Sequence, residues 1–393
     1  MNLQDVVIVS AVRLPIGRFG GSLKDLKVYN LGGYAISAAV KKAGIAPGQV
    51  DEVIMSHTRQ DGTGPNPARS AALLAGIPVE VPAHTVNKVC AAGVKAMALA
   101  TQAIRIGDAE VIVCGGMESM SNIPHLLRGA RWKGFRLTNI VLEDGFLYLS
   151  DPICGLTPGL CAERCAEKWS ISREDQERVG YESHIKAARA WEEGIFNNEV
   201  VPVEIPASKE QPAYTFIKDE CYRSDVTLEK MMKLPPAFKE GGTVSAGSSS
   251  GITDGAGAMV VMSRQKANEL GVKPLASIVA YSFYGVPPED FPEGPMKVIP
   301  IVLEKAGLGI DDITYFEINE AFGVVVVLTQ RMLGIPSEKI NPHGGGISLG
   351  HPTGFSGARL LIHLANILKP GEYGLATLCG AGGLAGAIII KGE

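Results

Sequence analysis

The chain has 393 residues, 46% of them hydrophobic and 20% charged, the balance of an ordinary globular protein long enough for more than one core. A formal net charge of −4 gives no sign of a nucleic-acid partner, and no apolar run reaches the ~20 residues of a membrane span. Seven cysteines without even spacing predict free thiols and a cytosolic setting.

The opening MNLQDVVIVSA lacks a basic leader segment, so no secretory address is expected, and the closing IIIKGE carries no recognised one. DVVIVSAV (5–12) is a continuous apolar run and predicts a buried strand. LGGYAISAAVKKAG (31–44) predicts a helix closed by Gly44, and VDEVIMSH (50–57) the next strand. GPNPARSAALLAG (64–76) predicts a helix opened by its Pro-Ala step and closed by Gly76. AHTVNKV (83–89) reads as a short strand, 91–106 as a helix and AEVIVCGG (109–116) as a strand. Strands alternating with helices of this length predict an α/β fold with crossover connections.

Residues 121–248 break the rhythm with more charge, proline and irregular sequence, and read as a long insertion. They hold helices such as GLCAERCAEKWS and REDQERVGYESHIKAARAWEEG, the second with Ser172 placed as its N-cap. GITDGAGAMVVMSR (251–264) predicts a strand returning to the first core. From 273 the rhythm resumes. PLASIVAYSFYG (274–285) predicts a strand, PMKVIPIVLEKAG (295–307) a helix, and ITYFEINEAF (313–322) a strand running into a helix. GFSGARLLIHLANIL (354–368) predicts a helix, and YGLATLCG (373–380) and AGAIIIKG (385–392) the closing strands. The two ends share one order of elements and so predict a duplication. Cys90 before its helix corresponds to His351 before its own. The expected division is 1–120 plus 249–272 as one half, 121–248 as an inserted loop domain, and 273–393 as the other half.

HTVNKVCAAGVKAM (84–97) places Cys90 at the start of a predicted helix. A cysteine is more often buried filler than a reagent. Two features favour chemistry here: a helix N-terminus favours a thiolate, and the small Ala91-Ala92-Gly93 run lets a substrate reach the backbone N–H groups. NPHGGGISLGHPTGFSGAR (341–359) carries two of only seven histidines. His343 reads as a solvated loop histidine. His351 is the stronger general-base candidate, because glycines admit a substrate and Pro352 fixes the backbone. Neither HExxH nor paired CxxC spacing is present, so no metal site is expected, and Cys161 and Cys165 read as helix packing. LCGAGGLAG (378–386) contains a GxGxxA pattern, but too little chain follows for a nucleotide-binding βαβ unit. It reads instead as strand, turn, strand, with Cys379 at the turn. INEAF (318–322) adds Asn319 and Glu320 at a strand end, where an amide can hold a water or simply cap a helix.

VNKVCAAGVKAM, GGMESMSNIP, SSGITDGA, INEAF, NPHGGGISLGHPTGFSGAR and LCGAGG, in this order, resemble the thiolase family along essentially the full chain, most closely its acetyl-CoA acetyltransferase branch. The resemblance implies two βαβαβαββ halves packed as a five-layered αβαβα sandwich, with the insertion binding CoA. It implies a reversible, ping-pong Claisen condensation of two acetyl-CoA to acetoacetyl-CoA and CoA. Cys90 would be acylated, His351 would act as its base, and Cys379 would move the α-proton. One oxyanion hole would use His351 and a water held by Asn319, the other the N–H groups of Cys90 and Ala381. Arg223, Ala246, Ser250, Ala321 and Phe322 match CoA-contacting positions. CoA thioesters would be the substrates, with no further cofactor, and the assembly would be a homotetramer. Fatty-acid condensing enzymes share the fold but lack the second cysteine, so Cys379 favours a thiolase.

Several positions depart from the family pattern. Ala91-Ala92 follows the nucleophile where a serine is usual. Phe355 replaces a common cysteine, Thr157-Pro158 a His-Met pair, Phe291-Pro292 a Met-Gly pair, and Ala381 a glycine. These changes leave acyl chain length open. A thiolase for longer or branched 3-oxoacyl-CoA, and a non-catalytic acyl-CoA-binding subunit, are the competing expectations.

Overall fold

A computed structural model of the chain describes residues 4–146, 150–207 and 212–393. Nine strands carry the architecture: β1 (Val6–Arg13), β2 (Glu52–Ser56), β3 (Ala83–Val86), β4 (Val111–Ser119), β5 (Thr253–Ser263), β6 (Ala276–Gly285), β7 (Ile313–Ile318), β8 (Tyr373–Gly380) and β9 (Leu384–Gly392). They form one sheet in the order β7-β8-β9-β6-β1-β5-β4-β2-β3, and the two-residue strand Gly17–Arg18 pairs onto β5.

The predicted duplication is visible in the pairing. β2 runs parallel to β4, β4 antiparallel to β5, and β5 antiparallel to β1. The second half repeats this: β7 is parallel to β8, β8 antiparallel to β9, and β9 antiparallel to β6. The halves meet where β1 and β6 pair antiparallel at Val7↔Ser277 and Ile8↔Ala276. Even the edge strand β3, parallel to β2, has a vestige: a parallel bridge between Phe316 and Ile340 beside β7. The strand expected to return from the insertion is β5, lodged between β1 and β4.

The helices of eight residues or more are α1 (Val28–Ala43), α2 (Pro67–Leu74), α3 (Ala92–Ile106), α4 (Pro158–Lys168), α5 (Arg173–Glu192), α6 (Gly294–Ala306), α7 (Gly323–Leu333) and α8 (Thr353–Ile367). The helix expected from residue 64 starts later, at Pro67. Asn66 accepts the Arg69 N–H at its side chain, and Pro67 takes the first helical position, where no N–H is required. Ser172 is the N-cap of α5 as its sequence predicts, closing a capping box with Asp175.

α3 and α8 occupy equivalent places in the two halves, and both are buried along most of their length. The window Val89–Ile106 has a mean hydropathy of 1.3, enough to pass for a membrane span by composition, yet it is a core helix. About 61% of the window is buried in protein, while Gln102 and Ile106 reach the surface. The two helices cross at glycines. A Cβ at Gly93 would overlap the backbone N of Ala358, and one at Gly357 would lie 2.8 Å from the backbone N of Val94. Small residues there let the backbones touch, which brings together the segments preceding each helix.

The insertion is tied to both halves by a buried charge network. Arg13 of β1 lies 2.7 Å from Glu199 and 2.7 Å from Asp219, both in the insertion. Glu199 also lies 2.8 Å from His363 of α8, and His363 Nε2 is 2.9 Å from His343 Nδ1. His343 is therefore a partner in this network and not the solvated loop residue its surroundings suggest. Its pKa is lowered to about 4, by burial first and then by His363.

Candidate active site

Cys90 precedes α3 at a bend. Val89 has φ 49°, a left-handed conformation that is costly for a β-branched residue, and the Asn87 side chain accepts its N–H at 3.0 Å. The helix begins only at Ala92, so Cys90 lies one step outside the expected position. The thiol is also not the thiolate that a helix N-terminus would favour. Burial pushes it up to about 12, while the N–H groups of Ala381 and of Cys90 itself point at the sulfur and work in the opposite direction. At rest Cys90 is a protonated thiol, whose sulfur could attack only with the help of a base.

Cys379 lies near the end of β8, fully buried, with its thiol raised well above the ordinary value by burial and by Cys90. The β8–β9 turn brings it there. A Cβ at Gly380 would be 3.7 Å from the Cys90 N, and one at Gly386 would be 3.3 Å from Ala91 Cβ. The turn carries its positive φ at Gly382 and Gly383, 80° and 79°. Ala381 is outside that region, so it replaces a glycine without backbone strain and keeps its N–H.

His351 follows Gly350, whose φ is 111° and whose Cβ would meet Ile16 and Thr253 side chains at 2.8 Å. Only glycine fits that bend. His351 Nδ1 is 2.6 Å from Ser356 Oγ, and Ser356 donates its hydroxyl to Pro352 O at 3.0 Å. Since that hydroxyl is engaged, Nδ1 carries the imidazole hydrogen and Nε2 is the basic nitrogen. Asn319 Nδ2 lies 3.5 Å from both ring nitrogens, and Asn319 Oδ1 is buried with no partner among the described residues.

Glu118 of β4 organises the entrance to α8. Its Oε2 accepts from Gly354 N at 2.7 Å and Thr353 Oγ1 at 2.9 Å, while Oε1 lies 2.6 Å from His57 Nδ1 and 3.2 Å from the donating Arg59 N. Burial alone would raise Glu118, but the charge and hydrogen bonds of His57, with Thr58 and Thr353, hold it at about 2. Its charge is felt at both Cys90 and His351. GGMESMSNIP drew attention as a motif, but nothing in it reveals that Glu118 caps a helix more than two hundred residues away.

His351 is lowered from 6.5 to about 4, by burial first and then by Arg359. It therefore stays neutral, and able to accept a proton, down to about pH 4. The acid limb of kcat/KM is predicted there and not at the ordinary histidine value of 6.5; a limb at 6.5 would contradict a buried neutral base. The same burial makes the fold acid-sensitive. His184, His343 and His351 are each lowered from 6.5 to about 4, so the unfolded chain binds more protons between those values. Glu118 and Glu199, lowered from 4.5 to about 2, act likewise in the lower window. Stability should fall as pH drops below 6.5 and fall further below 4.5. Urea midpoints that stay flat from pH 6.5 to 4 would contradict this.

A cleft of about 670 Å³ lies between the insertion and the core, lined among others by Arg18, Phe19, His184, Arg223, Lys230 and Ala246. Arg223 and Ala246 of the sequence-derived set thus face it, and His184 Nδ1 accepts the Arg223 N–H at 3.2 Å. Ser250, Ala321 and Phe322 are not in its lining. They join behind it, where Ser250 N donates to Ala321 O at 3.1 Å and Ser249 bridges Phe322. Arg18, His184 and Lys230 escaped the sequence reading because they converge only in three dimensions.

Two of the departing positions have structural explanations. Thr157 caps α4 by accepting Leu160 N–H at 3.4 Å, with Pro158 in its first turn. Phe355 does not shape an acyl pocket: its ring stands over Gly255 and Gly257 of β5, in the core. Phe291 does pack in one cluster with Cys161, Cys165 and Cys379. Among the described residues, no three or more His, Cys, Asp or Glu cluster as a metal ion would require.

Two family models match the chain: Thiolase, N-terminal domain, over residues 6–265, and Thiolase, C-terminal domain, over residues 272–392. The chain is 46% identical to the mitochondrial acetyl-CoA acetyltransferase of Rattus norvegicus, over 99% of this chain and 92% of the relative. It is 45% identical to that of Homo sapiens, over 99% and 91%. The solved structure of the Bacillus anthracis acetyl-CoA acetyltransferase has a TM-score of 0.96 at 40% identity, covering 100% of both chains. Human mitochondrial 3-ketoacyl-CoA thiolase in complex with CoA has a TM-score of 0.94 at 37% identity, covering 100% of this chain and 99% of that one.

The cytosolic setting expected from the cysteines is overturned, because the rat and human relatives are mitochondrial. All seven cysteines are free, but free thiols mark a reducing compartment without saying which one. The paired βαβ halves and the matches that span both of them lead to one assignment: the chain belongs to the thiolase family.

Proposed function

We propose that the chain is an acetyl-CoA C-acetyltransferase that joins two acetyl-CoA into acetoacetyl-CoA and CoA, and runs the reverse thiolysis. The observation that carries this reading is the pairing of two buried thiols, Cys90 and Cys379, with the N–H groups of Cys90 and Ala381 aimed at one sulfur. Relatives of high coverage named as acetyl-CoA acetyltransferases support it.

In the first half-reaction His351 Nε2 takes the Cys90 proton as the sulfur attacks the thioester carbonyl. The N–H groups of Cys90 and Ala381 receive the oxyanion. The carbon–sulfur bond to CoA breaks, the CoA thiolate takes the Cys379 proton, and acyl-Cys90 remains. Cys379, now a thiolate of a thiol held well above 9, is a strong base for the α-proton of a second acetyl-CoA. The enolate oxygen is held by His351 and by a water on Asn319, whose Oδ1 is otherwise unpartnered. The enolate carbon attacks the acyl carbonyl, and Cys90 leaves as a thiolate that recovers its proton from His351. The protons balance, and the thioesters supply the acyl groups, so no resident cofactor is needed.

Arg223, with Arg18 and Lys230 in the same cleft, would hold CoA phosphates, and Ser250, Ala321 and Phe322, outside the cleft lining but joined next to its Ser249, would support the pantetheine end. We also propose a homotetramer. The arm 126–142 carries Arg131, Lys133 and Arg136 and exposes Trp132, Leu137, Ile140, Val141 and Leu142, an apolar set suited to cover by another copy. Light scattering should give four chains; a monomer mass contradicts this. The activity is tested by thiolysis of acetoacetyl-CoA beside a series of longer and branched 3-oxoacyl-CoA. The reading expects acetoacetyl-CoA to react fastest, and preference for a long chain would overturn it.

A further inference from the structure

Beside the site lies a buried ion pair that the chemistry above does not use. Arg359 Nη1 of α8 donates to Glu317 Oε2 of β7 at 2.9 Å. The two side chains are 2% and 0% exposed, and Arg359 Nη2 and Glu317 Oε1 find no partner among the described residues. Stability is a poor explanation for such a pair, since apolar residues of similar size often serve as well or better. Its two ends suggest another. On β7, Glu317 and Asn319 are two residues apart, and Asn319 continues the strand ladder by donating its N–H to Thr377 O at 3.0 Å. They therefore project from the same face of the sheet. On α8, Ser356 and Arg359 are three residues apart and share a helix face. Ser356 is the residue that holds His351 Nδ1.

The contacts close a ring: Asn319, along the strand to Glu317, across the ion pair to Arg359, back one turn to Ser356, and through His351 to Asn319. We propose that Glu317 and Arg359 are positioning residues, a strut that sets the separation and orientation of His351 and Asn319 as the two halves of the enolate-binding pair. This rests on the proposed acyl-transfer reading but adds residues that touch no substrate. The charged groups felt by His351 are Arg359 from α8 and Glu118 from β4, which lie against Glu317 and His57 respectively. Arg359 adds to the lowering of the His351 pKa that burial begins, and burial persists when the pair is replaced by apolar side chains, so removing the pair should let His351 titrate only somewhat above about 4.

The test replaces the pair with apolar side chains of similar length, Glu317→Leu with Arg359→Met. This double variant is expected to melt close to the parent. Its kcat should fall ~10²-fold, the scale of an ångström-sized misplacement, with KM for acetoacetyl-CoA little changed. Its acid limb should move upward. Arg359→Lys keeps the charge but not the two-pronged guanidinium, so it should lower kcat and leave the limb in place; it carries the test if the double variant does not fold. Ring titration of His351 by NMR, assigned with His351→Gln, reads the same shift without turnover. A strut that fails is thereby distinguished from a reaction that was misassigned. Variants that keep the parent kcat and the parent His351 titration, or that lose only thermal stability, would overturn the proposal.

Discussion

Cys379→Ser is expected to keep forming acyl-Cys90 while losing carbon–carbon bond formation by ~10²–10⁴-fold. Attack on the thioester needs Cys90, His351 Nε2 and the N–H donors of Cys90 and Ala381, none of which the substitution removes. A CoA thiolate also departs without needing a proton. The second step is different, because a serine hydroxyl is a far poorer base for an α-proton than the thiolate of Cys379. Cys90→Ser should instead abolish acylation. Intact-protein mass after incubation with acetyl-CoA, run beside a condensation assay, separates the two steps. If Cys379→Ser never acylates while Cys90→Ser does, the roles are exchanged and the mechanism is wrong.

Gly93→Ala is expected to cost stability and activity together. The added Cβ would overlap the backbone of Ala358 and Gly357, which cannot rotate aside as a side chain would. α3 and α8 must move apart, at a cost of about 1–3 kcal/mol or more for overpacking a tight contact. Because Cys90 precedes one helix and His351 the other, a displacement of about an ångström should also lower turnover ~10²-fold. The control is Gly48→Ala, whose Cβ would have its nearest neighbour, Pro78 Cγ, 4.0 Å away. Urea midpoints and kcat for both variants check the claim. A Gly93→Ala enzyme with the parent midpoint and rate would show that the helix crossing does not hold the site.

The elements that could be read in advance are those whose environment is uniform along their length. β1, β4 and β5 are buried at every position, so a continuous apolar run is a faithful signal. The correspondence of Cys90 and His351 was legible because element order survives divergence, and the repeated strand pairing bears it out. Boundaries slipped where a local cap decided them, as at Asn66 and Pro67. The ionisation of Cys90 was misread for a deeper reason. A helix start is visible in a sequence, but the depth at which its neighbour is buried is not, and burial outweighs the backbone donors. Glu118, Ser356 and Arg359 were beyond reach because each gains its role from a partner on another element. Phe355 was counted among the changes bearing on acyl chain length because its neighbours in the chain belong to the site, although its ring faces the glycines of β5. The cellular setting failed because reduced thiols report redox poise and not address.

The central claim is that acyl groups pass through Cys90 during acetoacetyl-CoA turnover. The most direct test supplies acetoacetyl-CoA labelled in its terminal acetyl carbons with limiting CoA, quenches the reaction in acid, and maps the label by peptide mass. The account predicts that acetyl-CoA is released and that the labelled peptide is the one containing Cys90, with the label absent in Cys90→Ser. No thiolysis, or label on Cys161, Cys221 or Cys379 with Cys90 unmodified, would contradict it.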